Sequence, residues 1–517
     1  MSRNKELFKS ETELQQAILK EKARGTPDVE IGEKFGVSYK YIEKVITRAK
    51  GINVSNLNVK KRIRYLEPKN FKLEGTSVWS FRQRGDWATH SGVYRGNFSP
   101  YIPRNIILSY SRPGELVLDM FCGAGTTAIE AKLLERRCIA ADINEQAIEL
   151  AKENVNFDIN LLPFPDEKQK KYFEPELLVK DARDLSWLAD ESVDLICTHP
   201  PYANIIKYTD NKEEDLSFLE VNEFLVEMKK VARESFRVLK PGRQCALLIG
   251  DARKRKHVIP LGFRLISVYL EAGFYLRELI IKRQHNCKTT GFWYKKSIEN
   301  NFLLLAHEYL PIFEKPAKTK GLKKVKEQAS TLPVEKKRVV PGSELVTMET
   351  TTVWIFPEKE KDHLLTRNIV DRYAGTEKFL CLEVTAEKKK ELKATINKKH
   401  DNYSLIWLKS SVLSDDYFQF DPADYLNAVK ETTNDFKNSI KSGGYLAIET
   451  RDIRINGRLI PLGKLIVDLI DDQELWLKEI VVVTTNGTFA ESTEMANTTP
   501  DDYLKIVHSY VLVYEWK

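Results

Sequence analysis

Between residues 75 and 313, short β-rich apolar runs alternate with stretches of helical periodicity. The runs are Leu116–Phe121, Cys138–Ala141, Leu177–Val179, Asp194–Thr198, Gln244–Gly250, Arg277–Lys282 and Phe302–His307. Alternation of this kind predicts βαβ units, hence an α/β fold with a mostly parallel sheet covered by helices. The last two runs are expected to pair antiparallel at the sheet edge. Residues 12–49 instead carry a helical pattern throughout. Within them "VEIGEKFGVSYKYIEKVITRA" has helix-turn-helix spacing: Gly32 where two helices cross, Gly36 at the tight turn, and Ile31, Phe35, Val37, Ile42 and Val45 on the apolar face. Ser38 would cap the second helix and present Tyr39, Lys40 and Tyr41 to DNA. The plainer alternative is a small helical domain that only packs on its neighbour.

The same apolar pattern returns later in the chain. At an offset of 201 positions, "LKPGRQCALLIGDARKRKHVIPLG" (239–262) lies over "IKSGGYLAIETRDIRINGRLIPLG" (440–463), and "LRELIIK" (276–282) over "LKEIVVV" (477–483). Eleven identities fall in this one ungapped window of 44 positions. Upstream, "TSVWSF" (76–81) is matched by "TTVWIF" (351–356), and "RNIILSY" (104–110) by "RNIVDRY" (367–373). A collinear series of this length predicts that 343–517 is a second copy of the middle fold. The expected organisation is 1–55 as the helix-turn-helix segment, 56–314 as the first α/β copy, 315–342 as a basic linker and 343–517 as the second copy.

With 517 residues, two or three domains are expected. A 42% hydrophobic, 30% charged composition suits a soluble globular chain. The net charge of +7 changes the picture only because it is bunched. Lys60, Lys61, Arg62 and Arg64 form one cluster and Arg253–His257 another, while Lys315–Arg338 holds nine basic residues against two glutamates. Such clusters suit a polyanion, although solvated faces and a linker produce them too. The six cysteines stand singly, which points to a reducing cytoplasm and away from zinc or disulfides. The N-terminus does not read as a signal peptide, and no apolar run approaches the ~20 residues of a membrane helix.

Two stretches carry candidate chemistry. In "GELVLDMFCGAGTTAIEAKLL" a strand enters a glycine turn and then a helix. Gly123 and Gly125 let the backbone turn sharply beside a ligand. Thr126 and Thr127 open the helix, where free N–H groups favour polar or anionic atoms. Asp142 ends the next strand, 17 residues after Gly125, placed to accept ribose hydroxyls. Asp181 ends a third strand, within reach of an adenine amino group. A dinucleotide dehydrogenase shares these features; the second stretch argues against one. "LICTHPPY" runs a strand straight into His199, Pro200, Pro201 and Tyr202 at the carboxyl edge of the sheet. Proline rigidifies that loop, and the tyrosine offers a flat face for stacking.

The region 76–313 resembles the DNA amino-methyltransferases. "DMFCGAGTT" is similar to their cofactor motif DxFxGxGTT, and "HPPY" stands at their (D/N/S)PP(Y/F) motif. "YIPRNIILSY" and "LKPGR" resemble two further family segments. The resemblance implies a Rossmann-like methyltransferase domain with a seven-stranded, mostly parallel sheet, S-adenosyl-L-methionine as cofactor, and no metal. It implies that Asp119, Phe121, Gly123 and Gly125 line the methionine half of the cofactor, with Thr126 and Thr127 at the helix start, Asp142 on the ribose and Asp181 on the adenine. It implies that His199, Pro200, Pro201 and Tyr202 hold an everted base of double-stranded DNA whose exocyclic amine, cytosine N4 or adenine N6, receives the methyl group. His199 departs from the family's Asp, Asn or Ser. A neutral imidazole also offers one acceptor nitrogen, so the expectation is that His199 accepts from the amine and that activity falls as the ring protonates.

In the second copy "ELVLDMF" becomes "KFLCLEV" (378–384), followed by lysines instead of glycines, and "LICTHPPY" becomes "LIWLKSSV" (405–412). A non-catalytic domain is expected, paired with the first as an internal pseudo-dimer. Restriction-modification, with a cognate nuclease as partner, is one setting for such an enzyme. An RNA base methyltransferase and a non-catalytic nucleic-acid-binding regulator are the alternatives.

Overall fold

The computed structural model describes residues 10–38, 41–42, 45–46, 63, 65–92, 94, 96–157, 171–203, 215–285, 290–317, 348–384, 402–410, 420–470, 472–486 and 503–517. Among these, no helix is long and apolar enough to cross a membrane. The chain begins with helices α1 (Glu11–Ala23) and α2 (Asp28–Phe35). Gly36 closes α2 with φ +65°, and Ser38 Oγ accepts from the Tyr41 amide at 3.2 Å, the bond expected of an N-cap. Ile18, Ile31, Ile42, Val45 and Ile46 form the core beneath these turns. Tyr39 and Lys40 lie outside the described residues.

The first sheet contains β1 (Val78–Ser80), β2 (Leu116–Asp119), β3 (Arg137–Asp142), β4 (Glu176–Val179), β5 (Val193–Thr198), β6 (Leu239–Leu247), β9 (Tyr275–Arg283) and β10 (His307–Glu314). Its order is β1-β9-β10-β6-β5-β2-β3-β4. Strand β10 runs antiparallel to both neighbours, and every other pairing is parallel. The core strands are buried on both faces; all six residues of β5 are buried. The chain winds outward through β2, β3 and β4, then returns to β5 on the other side of β2. That reversal between β2 and β5 is where a doubly wound sheet opens a crevice at its carboxyl ends.

Two expectations need correction. The sheet has eight strands, not seven, because β1 adds a parallel strand outside β9. The last strand starts at His307 instead of ending there, and it lies inside the sheet, between β9 and β6. Pro311 in its middle disguises it as a break. The upstream run 302–306 is apolar for another reason: Leu303 is buried in the core of the second sheet, and Leu304 bridges Thr351.

The second sheet holds β11 (Val353–Phe356), β12 (Phe379–Val384), β13 (Tyr403–Ser410), β14 (Ile440–Thr450), β17 (Leu475–Thr485) and β18 (Ser509–Trp516), in the order β11-β17-β18-β14-β13-β12. This is the first sheet from β1 to β2, in the same register. Leu195 pairs with Gln244 in one, and Leu405 with Tyr445 in the other. Each sheet also carries the same hairpin, β7 (Ala252–Lys254) with β8 (His257–Ile259) and β15 (Ile453–Ile455) with β16 (Arg458–Ile460). Neither β3 nor β4 has a counterpart among the described strands.

The sheets meet through contacts that come in equivalent pairs. His307 Nδ1 bonds Thr352 Oγ1 at 2.9 Å, and His508 Nδ1 bonds Ser77 Oγ at 2.7 Å. Arg253 reaches Glu479 at 2.6 Å, and Arg454 reaches Glu278 at 2.5 Å. Behind each histidine the same chain follows. Tyr309 donates to Asp251, which accepts from the Gly262 amide; Tyr510 donates to Asp452, which accepts from the Gly463 amide. These bonds account for the repeated Asp and Pro-Leu-Gly and assign Asp251 to the scaffold.

Candidate functional site

The turn after β2 is held open by backbone chemistry. Gly123 adopts φ +50°, and a Cβ there would stand 3.0 Å from the Tyr94 ring. Its amide donates to Asp142 Oδ2 and the Asn144 amide to Oδ1, both at 2.9 Å. Asp142 at the end of β3 is thereby aimed at the turn. Burial pushes its carboxyl up to about 6, against the lowering effect of those two amides. Asp119 is fully buried and accepts from the Phe121 amide at 3.1 Å and from Thr198 Oγ1 at 2.7 Å. It therefore ties the turn to the end of β5. Burial raises its carboxyl to about 6 as well.

Beyond β5, His199 and Pro201 face the same cavity as Phe121, Gly123, Asp142 and Asp181. About 680 Å³ of space, open solvent included, lies between these residues. A second hollow adjoins it and contains Phe81, Arg82, Arg84, Tyr202, Lys282, Arg283, His285 and Glu308. Gly96, Asn97, Phe98 and His199 belong to both and form the wall between them. His199 Nε2 lies 3.1 Å from the Tyr202 hydroxyl, which donates to Glu308 at 2.8 Å; Lys282 holds the other carboxylate oxygen at 2.7 Å. Burial lowers the His199 pKa to about 4, although Glu308 opposes the shift.

The sequence-predicted residues divide into two groups. Phe121, Gly123, Asp142, Asp181, His199 and Pro201 line the first cavity and Tyr202 the second. Asp119, Gly125, Thr126, Thr127 and Pro200 are not part of either lining; they stand behind it. Thr126 Oγ1, for example, donates to Asn97 Oδ1 at 2.6 Å and so fixes a lining residue. Asp181 lines the cavity, but both of its oxygens are engaged by Arg183, at 2.6 to 3.0 Å. Sequence reasoning missed Tyr94, Asn97, Phe98, Lys282 and Glu308. The first three precede "YIPRNIILSY" in a Tyr-Arg-Gly-Asn-Phe-Ser-Pro stretch, the one signal that pointed toward them.

These residues fit S-adenosyl-L-methionine. The Gly123 cradle, which a Cβ would fill, admits close approach, and Asp142 offers an anchored carboxylate for ribose hydroxyls. A pH dependence follows. The hydroxyls need the ionised form, so above about pH 6 the acceptor is ready, while below it each bound ligand must displace a proton. Cofactor affinity should then fall by about tenfold per pH unit on the acid side. Calorimetry with S-adenosyl-L-methionine from pH 8 to 5 reads that slope; a flat profile would place the ribose contact elsewhere.

A DNA methylase family model matches residues 2–153 and 193–421, and a general methyltransferase-domain model matches 111–263. The tRNA (guanine(10)-N2)-dimethyltransferase of Methanothermobacter thermautotrophicus is 36% identical over 124 residues, covering 24% of this chain and 33% of the relative. The type II methyltransferase M.SmaI of Serratia marcescens is 35% identical over 89 residues, covering 17% and 29%. The chain thus spans about a third of the length of these curated relatives. A solved DNA modification methylase from Thermus thermophilus, complexed with S-adenosyl-L-methionine, is 26% identical and covers 28% of this chain and 54% of its own, with a TM-score of 0.20. With a family match over most of its length and both family motifs facing one pair of cavities, the chain belongs to the DNA methylase family of S-adenosyl-L-methionine-dependent amino-methyltransferases.

Proposed function

We propose that the protein transfers a methyl group from S-adenosyl-L-methionine to an exocyclic base amine of double-stranded DNA, cytosine N4 or adenine N6, after everting the nucleotide. The observation that carries this reading is the wall shared by the two cavities: His199 separates a glycine-and-aspartate chamber from a chamber with an aromatic plate and a basic rim. When bound, the cofactor supplies an electrophilic methyl on sulfur. The chain's own residues do the rest. Asp142 orients the cofactor's ribose, Pro200 and Pro201 stiffen the loop, and Tyr202 offsets the cost of unstacking by about 1–3 kcal/mol through stacking. Arg82, Arg84 and Arg283 suit the flanking phosphates. His199 works as the neutral ring throughout the physiological range, because its lowered pKa moves any acid limb toward pH 4 and away from the ordinary histidine range.

The remaining parts extend this reading. The N-terminal helices would grip DNA through Ser38, Tyr39, Lys40 and Tyr41, and the second sheet would serve as a non-catalytic partner in an internal pseudo-dimer. The cytoplasm and a restriction-modification system with its nuclease are the setting we infer. RNA is the second reading, favoured by the 36% identity to a tRNA guanine-N2 dimethyltransferase.

The test is expression in a methylation-free bacterial host, followed by nucleoside mass spectrometry of DNA and RNA. N4-methylcytosine or N6-methyladenine is expected in the DNA, and Tyr202→Ala should reduce it at least about fivefold from lost stacking alone. Unmodified DNA beside newly methylated RNA would replace the first reading with the second.

A further inference from the structure

We propose that Glu308 and Lys282, in the space left by Gly250, are positioning residues for the reaction loop: the Glu308 carboxylate commits the Tyr202 hydroxyl proton to itself, setting the tilt of the ring and making the Tyr202 oxygen an acceptor toward His199 Nε2. This rests on the function proposed above and deepens it.

The geometry is a chain of three bonds, Lys282 to Glu308 at 2.7 Å, Tyr202 to Glu308 at 2.8 Å and His199 to Tyr202 at 3.1 Å. Glu308 is buried, and an unpaired carboxylate there would be costly, so Lys282 is what keeps it ionised. With its proton given to that carboxylate, the Tyr202 oxygen has only lone pairs to turn toward the imidazole. On this reading the hydrogen of the third bond comes from Nε2, in competition with the Gly96 backbone for the ring's single hydrogen. Gly250 leaves this group its room: a Cβ there would lie 3.2 Å from Tyr202 Cε2, so the ring would have to give by a few tenths of an ångström.

The second copy separates this group from the scaffold. Asp251, Gly262, His307 and Tyr309 persist as Asp452, Gly463, His508 and Tyr510. Glu308, between two of them, becomes Ser509; Lys282 becomes Val483, Gly250 becomes Arg451, and His199 and Tyr202 become Lys409 and Val412. Along β10 successive side chains point to opposite faces. His307 and Tyr309 serve the face that both copies share, and Glu308 serves the face that only the first copy equips. Ion pairs belonging to the scaffold, Arg253–Glu479 and Arg454–Glu278, occur in both halves. This one left together with the loop.

The groups facing His199 are Glu308, Lys282, Arg84, the Tyr202 hydroxyl and the Gly96 backbone; those facing Glu308 are Lys282, His199 and Tyr202. The full-length chain carrying Glu308→Gln, Lys282→Met or both is compared with the parent for cofactor affinity, unfolding midpoint, kcat, DNA KM and pH profile. Glu308→Gln should lower kcat by about 10- to 150-fold, the range of a hydrogen bond to a charged group, with cofactor affinity unchanged. Lys282→Met leaves the carboxylate without its cation. Its pKa, held at about 2 in the parent, should rise, and an acid limb should enter the kcat profile; adding Glu308→Gln should remove that limb. Unaltered kcat and pH profiles in all three, or losses confined to the unfolding midpoint, would overturn the proposal. Ring-nitrogen NMR of labelled histidine reads the positioning without turnover. His199 should carry its hydrogen on Nε2 in the parent and lose that preference in Glu308→Gln; the opposite tautomer in the parent overturns the proposal. If the parent methylates no nucleic acid yet shows this tautomer pattern, the proposed function fails and the positioning stands.

Discussion

Arg253→Met is expected to destabilise the protein by about 3–5 kcal/mol, the cost of leaving a buried carboxylate without its partner. Glu479 is completely buried, accepts from the Leu303 amide at 2.9 Å and meets Arg253 at 2.6 Å. Removing the cation leaves that charge with one backbone donor and forfeits the arginine's bond to the Leu303 carbonyl at 2.9 Å. Adding Glu479→Gln keeps an acceptor for the Leu303 amide and removes the charge, so the double variant should recover all but about 1–2 kcal/mol. Arg454→Met, against Glu278, should behave alike, because the Leu504 amide there repeats the Leu303 contact. Urea denaturation measures all four proteins. A cost below about 1 kcal/mol for Arg253→Met would show that packing, and not this pair, joins the two sheets.

The paired interface offers a physical route to the non-catalytic second half proposed above, in which the chemistry is lost and the shape kept. The residues that join the sheets, Arg253, Glu278, His307 and their counterparts, lie on strands and hairpins that both halves possess. The proposed chemistry depends on loops after β2 and β5 and on the βα units carrying Asp142 and Asp181. Among the described strands of the second half those units have no counterpart, and lysines stand in the sequence where the glycine turn would be. Deleting an outer part of a sheet removes a pocket at its carboxyl edge while the strands buried between the halves are left intact.

What the sequence disclosed follows from the range of the interactions involved. The strands β2 to β6 are legible because each holds a compact apolar run, which in β2 and β5 is buried almost throughout. The glycine turn and the His-Pro-Pro-Tyr loop are legible because their chemistry sits in consecutive residues. The repeat was visible because buried framework positions recur at one fixed offset. Glu308 was not legible: it meets Tyr202 across 106 positions of sequence, on a strand whose start was misread, and nothing local distinguishes it from a solvent-facing glutamate. Tyr94 and Phe98 come from a stretch without periodicity, and only the folded loop brings them to the cavity. Asp119 shows the converse. Its motif advertises a ligand contact, and the fold adds what the motif does not: Oδ1 holds Thr198 and the Phe121 amide, while the buried Oδ2 accepts no hydrogen bond among the described residues.

Asp142→Ala is expected to weaken S-adenosyl-L-methionine binding by about 100-fold or more. The substitution strips the acceptor from the Gly123 and Asn144 amides, so the turn loses the anchor that sets its geometry, and it removes the proposed ribose contact. Hydrogen bonds to a charged group contribute about 1.5–3 kcal/mol each, and two lost at the ligand alone reach that factor. Asp142→Asn separates the two roles. One amide oxygen still accepts, so the turn is partly held and the loss at pH 8 should be smaller. A neutral amide has no carboxyl to titrate near 6, so the steep acid-side fall of the parent should flatten. Weak, pH-independent binding by the Asn variant is the joint signature of a carboxylate that both shapes the turn and receives the ligand. An Asn variant that keeps the parent's slope would transfer the titration to Asp119, whose carboxyl is raised into the same range behind the cavity wall.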